Sequence, residues 1–195
     1  MGSPITHIET ITPSGSVATV SFTSIPQTYD DLLMIGTLKG TSSSLWDPAR
    51  GDNTLLINSL NSSQNYGYAQ IYSQNATGSV VQYQNQNNEG PWNSSDQIRL
   101  WGLAGAKPDY GGYAQNQGGS VYMYMPGYSV TTNSPTRNFL MWHGVISNNT
   151  NALSMCVQSH GGINTTSGIS NITYSGGTGN FATDAKMSLY GIKNT

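Results

Sequence analysis

The chain has 195 residues, seven of them Lys or Arg and nine Asp or Glu, so 8% are charged and the formal net charge is −2; an ordinary soluble domain carries about 25% charged residues. Seven scattered cations leave no electrostatic footprint for a phosphate backbone, which excludes nucleic acid as a partner. No apolar run approaches the roughly 18 residues that span a bilayer, so no membrane insertion is expected, and 12 Tyr, 4 Trp and 3 Phe are too many aromatics for a disordered chain.

The opening Met1-Gly2-Ser3-Pro4-Ile5 has neither a basic segment nor an apolar leader, so no secretion signal is expected. The sequons at Asn61, Asn75, Asn93, Asn148, Asn164 and Asn171 then follow from an Asn- and Ser-rich composition. Helix signals are nearly absent, because no stretch keeps an apolar stripe at helical spacing beyond about two turns. Short β segments recur instead. His7 lies in the first, and residues 17–23 alternate small or apolar with hydroxyl side chains before Pro26 turns the chain. In that turn Asp30 is placed to accept backbone N–H bonds. Residues 32–38 form an apolar run suited to a strand buried on both sides, with 54–58 as its neighbour.

From Asn61 to Ser95 the chain is rich in Asn, Gln, Ser and Tyr, and only 69–72 and 79–82 read as strands there. A second loop-rich insert spans 104–119. Residues 97–103 alternate apolar with other side chains, and 120–125 do so with Tyr as the partner set, until Pro126-Gly127 breaks the pattern. Residues 139–146 and 152–157 flank an Asn-rich link and read as a hairpin. The chain closes with 169–174, a Gly176-Gly177 turn and 185–192, where Gly191 signals a bulge or a close backbone approach. About ten short strands with no domain boundary predict an all-β fold: one antiparallel β-sandwich over residues 1–195, jelly-roll-like, with long loops at about 61–95 and 104–119.

The search for chemistry finds no convergent reactive set. His7, His143 and His160 lack metal-ligand spacing, the lone Cys156 reads as a small buried hydrophobe, and no Gly-x-Ser-x-Gly elbow follows a strand. Asp30, Asp31, Asp47, Asp52, Asp96 and Asp109 read as turn and cap residues, and Arg50-Gly51-Asp52 as a solvated turn. No catalytic residue, metal or cofactor is therefore expected. Binding is better supported. Trp46, Tyr66, Tyr68, Tyr72, Trp92 and Tyr110 fall in or beside loops among amide side chains, a composition that suits a protein interface first and a sugar second. Trp101 and Trp142 lie within strands and are assigned to the core.

Three stretches carry a resemblance: Ser24-Ile25-Pro26-Gln27-Thr28-Tyr29-Asp30-Asp31-Leu32-Leu33, Val121-Tyr122-Met123-Tyr124-Met125-Pro126-Gly127-Tyr128, and Ile169-Ser170-Asn171-Ile172-Thr173 on through Ser188-Leu189-Tyr190-Gly191-Ile192-Lys193. Together they resemble small β-rich structural proteins encoded in the virion modules of tailed bacteriophages. The resemblance spans about Ile5 to Lys193 and implies a fold and a setting more than a chemistry. What it implies is a non-enzymatic virion protein, made in the host cytoplasm, that decorates the capsid as a cement or knob homotrimer against the major capsid protein. The alternative is a tail fibre or spike tip module, among tail proteins, that binds a host surface glycan. The lack of heptads or a Gly-x-y shaft favours decoration.

Overall fold

Residues 4–40, 53–61, 66–74, 79–84, 98–100, 104–105, 119–131, 136–146, 154–176 and 180–194 are described by a computed structural model. Among the described residues there are thirteen strands and no helix. In chain order they are β1 (Ile5–Ile11), β2 (Thr19–Phe22), β3 (Asp31–Gly40), β4 (Asn53–Ile57), β5 (Tyr66–Gln74), β6 (Ser79–Gln84) and β7 (Ile98–Leu100). Then follow β8 (Ala104–Gly105), β9 (Gly119–Met125), β10 (Thr136–Ile146), β11 (Ser154–Asn164), β12 (Ile172–Ser175) and β13 (Lys186–Ile192). The large sheet runs β1-β13-β3-β9-β10-β11-β5-β6, with β8 added in parallel to β3, and the small sheet runs β2-β12-β4-β7. All other pairings are antiparallel, so the β-sandwich expected from the strand pattern is the architecture found. Two packed sheets are what this order shares with a jelly roll.

Strand alternation decides what enters the core. In β9, Val121, Met123 and Met125 are buried, while Ser120, Tyr122 and Tyr124 turn to the opposite face. Pairing extends this across the sheet: Leu189, Met34, Met123 and Met141 occupy one buried rung over β13, β3, β9 and β10. They meet Val20, Phe22, Leu55, Ile57 and Ile172 of the small sheet in a single core. Methionine suits this layer because its unbranched thioether fills irregular gaps, and each such burial contributes about 1.5–3 kcal/mol.

Two sequence boundaries are corrected. Within 61–95 the strands expected at 69–72 and 79–82 are longer, at 66–74 and 79–84: β5 and β6 pair at the edge of the large sheet, and β5 pairs with β11 from Met155 to Ile163. Pairing with a long neighbour supplies the hydrogen bonds that a polar composition does not advertise. For the same reason β11 continues past the expected end at 157, through Gly161-Gly162 to Asn164. Of the predicted insert at 104–119, only β8 and Gly119 lie within the described residues.

One end of the sandwich is closed where the start of β3, the end of β9 with its following turn, and the C-terminal residues meet on Asp31. Its buried carboxylate accepts hydrogen bonds from the Tyr124 hydroxyl (2.6 Å), the Gly127 amide (2.9 Å) and the Asn194 side-chain amide (3.1 Å). Gly127 reaches it from a left-handed conformation, φ +59°, that glycine adopts without steric cost. Asp30 accepts the Asn194 backbone N–H at 2.6 Å, in keeping with its predicted role. The Tyr128 hydroxyl donates to the Pro26 carbonyl, and Ser129 Oγ donates to the Tyr29 carbonyl at 2.9 Å. Gln27 Nε2 donates to the carbonyls of Ile25 and Ile169 at 2.9 and 2.8 Å. Tyr29 lies flat on Gly191, where any Cβ would stand well inside contact with the ring, so Gly191 marks the close approach its position suggests. Asn58, itself at φ 51°, adds a neighbouring tie: its Oδ1 accepts the amides of Ser170 and Asn171 at 2.8 and 3.2 Å.

Burial raises the Asp31 carboxyl, but the three hydrogen bonds outweigh it and the net position is below the ordinary value. A depressed carboxyl contributes stability above its unfolded value of about 3.9 and loses it as pH falls through the folded one. Asp31→Asn should therefore cost about 2 kcal/mol in urea unfolding at pH 7, with the gap from wild type closing below about pH 4. Gly191→Ala should cost about 1–3 kcal/mol through displacement of Tyr29, read in the same measurement.

Candidate functional site

The face of the large sheet turned away from the core is a continuous surface of aromatic and hydroxyl side chains. Register builds it rung by rung. Leu33 lies between Tyr124 and Tyr190, Ile35 between Tyr122 and Ser188, and Thr37 between Ser120 and Lys186. On β10, Leu140 faces Tyr124, Trp142 faces Tyr122 and Gly144 faces Ser120. Tyr122 and Trp142 pack at 5.2 Å between ring centroids with planes at 59°, and Tyr190 takes an edge contact with His7 at 5.4 Å. Ile35 is 45% and Tyr122 37% exposed, high for such side chains in mid-sheet.

These rungs line a shallow, open groove of about 530 Å³. Its apolar wall is Ile35, Tyr122 and Trp142, and Thr37, Ser120 and Ser188 line it with hydroxyls. Gly144, with no side chain, leaves the floor beside Trp142 open, and Lys186 stands at the same end. A chain of hydrogen bonds sets one hydroxyl: His7 Nε2 meets Thr10 Oγ1 at 2.7 Å, and Thr10 Oγ1 meets Ser188 Oγ at 2.8 Å. Tyr124 is held at the far end of the face by Asp31, and that hydrogen bond pushes its hydroxyl up to about 12, so it remains a neutral phenol at any physiological pH. The surface can stack against a flat apolar ring face, donate and accept hydrogen bonds along its edge, and offer one ammonium group.

Of the residues predicted as contacts, the three that are described, Tyr66, Tyr68 and Tyr72, do not line this groove. Tyr66 is not a surface residue: it is 1% exposed, and its hydroxyl accepts the Ile57 amide at 2.8 Å and donates to the carbonyls of Leu60 and Ile57 at 3.0 and 3.3 Å. A buried tyrosine needs such partners, and here they join β5 to the end of β4. Tyr68 and Tyr72 sit on β5 opposite Gly161 and Val157 in register. Trp46, Trp92 and Tyr110 lie outside the described residues, as does Trp101. Trp142, assigned to the core, is half-buried on the groove wall, because Met141 and His143 take the inward positions of β10. The groove was missed because aromatics were sought in loops, where function concentrates. Its signal was present in residues 120–125, where Val and Met alternate with Ser and Tyr.

Among the described residues no group of three His, Cys, Asp or Glu side chains is placed to hold a metal ion. His143 lies between Val121 and Val157 on the core face, 4% exposed, with no hydrogen-bond partner for Nε2. Burial pushes its imidazole down to about 4. No family model, no curated protein and no solved structure matches the chain.

The histidine has a measurable consequence. An unfolded imidazole takes its proton near pH 6.5, whereas His143 stays neutral to about 4, so between these values the unfolded state binds more protons. Stability should fall on acidification through that window by up to about 3 kcal/mol from this residue, and His143→Leu should flatten the slope of urea midpoint against pH there.

Proposed function

We propose that the chain is a non-enzymatic structural subunit of a bacteriophage virion, decorating the capsid shell as a homotrimer. The observation that carries this reading is the meeting of the three resembling stretches in one hydrogen-bonded cap. Ile25 to Asp31, Tyr124 to Tyr128, and Ile169 with Gly191 to Lys193 touch one another through Asp31, Tyr128, Gln27, Tyr29 and Lys193. The charge-poor composition supports the same reading, since copies of a chain with 8% charged residues can bury faces against one another or against the major capsid protein at little desolvation cost.

A second reading, a tail fibre or spike tip module that binds a host surface glycan, is favoured by the aromatic groove with its hydroxyl lining. Copy number and mass separate the two. Sedimentation equilibrium should give three times the 20.8 kDa chain mass, and quantitative mass spectrometry of purified particles should count the protein in proportion to the shell lattice. A monomer, or a count matching the tail, would overturn the decoration reading.

A further inference from the structure

We infer that the groove on the outer face of the large sheet is a binding site for an acidic saccharide, one bearing a carboxylate on its ring. A pyranose presents a C–H face and a rim of hydroxyls, and both have counterparts here. Tyr122 and Trp142, tilted at 59° and 5.2 Å apart, with Ile35 beside them, form an open apolar wall against which a C–H face can lie. Thr37, Ser120 and Ser188 supply hydroxyls along its edge, and the Ser188 hydroxyl is already oriented through Thr10 and His7. The volume of about 530 Å³ lies inside the range of about 300–1,000 Å³ usual for small-ligand sites.

The charge of the ligand follows from Lys186. Lys186 is exposed at one end of the groove, and among the described residues it makes no ion pair and no carboxylate lines the groove. By contrast Lys39 pairs with Asp184 and Lys193 with Asp30. A neutral sugar would leave this ammonium in contact with water alone. A ring carboxylate satisfies it while the apolar wall takes the opposite face of the ring. Gly144 matters for the same reason, since a side chain there would project between Trp142 and the Lys186 end of the groove.

The inference shares sugar binding with the second reading above and adds the charge; it does not depend on copy number or on the decoration role. The test is isothermal titration of the full chain with trigalacturonic acid and with its methyl ester, alongside a glycan array containing sialylated, uronic and neutral members. Binding confined to acidic members is expected. Trp142→Ala and Tyr122→Ala should each weaken it about tenfold. Lys186→Gln should weaken it about fivefold and abolish the preference for acid over ester. Val130→Ala, an exposed apolar position away from the groove, should bind as wild type. Because Tyr122 and Lys186 are exposed, their variants test the site even if Trp142→Ala fails to fold. Equal binding of acid and ester would overturn the acidic class while leaving sugar binding intact. No glycan bound, binding unchanged in all three groove variants, or an oligomer that dissociates on Tyr122→Ala would overturn the site itself.

Discussion

A buried carboxylate is costly unless each lone pair that water would have satisfied finds a donor, and Asp31 meets this demand by drawing together parts of the chain far apart in sequence. Its donors come from β9, from the turn after β9 and from the C-terminal residues beyond β13. Those three neighbours bracket β3, which is the strand between β13 and β9 in the large sheet. The cap thus sets the relative register of the central strands. Everything on both faces follows from that register, because a slip of one residue would exchange the core face for the solvent face along a whole strand.

The two faces of the large sheet are consequences of one alternation. On one side Leu32, Met34, Met123, Met125 and Met141 face the small sheet and build the core. On the other side the same strands present Leu33, Ile35, Tyr122, Tyr124 and Trp142. An antiparallel sheet with one packed face ordinarily shows polar residues on its other face. Here hydroxyls are present, but large aromatics stand between them, and Ile35 remains substantially exposed. Burying those side chains would gain free energy that the fold by itself does not collect.

The scarcity of charge takes on a more local meaning. Several of the described ionic groups are spent at the ends of the sandwich: Asp30, Asp31 and Lys193 in the cap, Lys39 with Asp184 at the opposite ends of β3 and the approach to β13. Arg137, almost wholly buried, donates to the Val130 carbonyl and braces the turn that follows β9. Exposed pairs of this kind contribute about 0–1 kcal/mol, so their role is to hold chain ends in place more than to stabilise the whole. The outer face is left with Lys186 as the cation of its groove.

The sequence by itself determined that the chain is all-β, because hydrophobic alternation with a period of two and turn residues are local properties that need no partner to be read. It also marked Pro26, Asp30 and Gly191 as turn and close-approach positions, since backbone geometry restricts which residues serve there. The tertiary structure decided which strands are neighbours and therefore which of two alternating sets is inside. That choice buried Tyr66, moved Trp142 out of the core, lengthened two short strands of a polar stretch into β5 and β6, and joined β13, β3, β9 and β10 into a groove. The reason is that burial and binding depend on contacts between residues distant in sequence, and no local pattern specifies which distant strand will supply the missing hydrogen bonds.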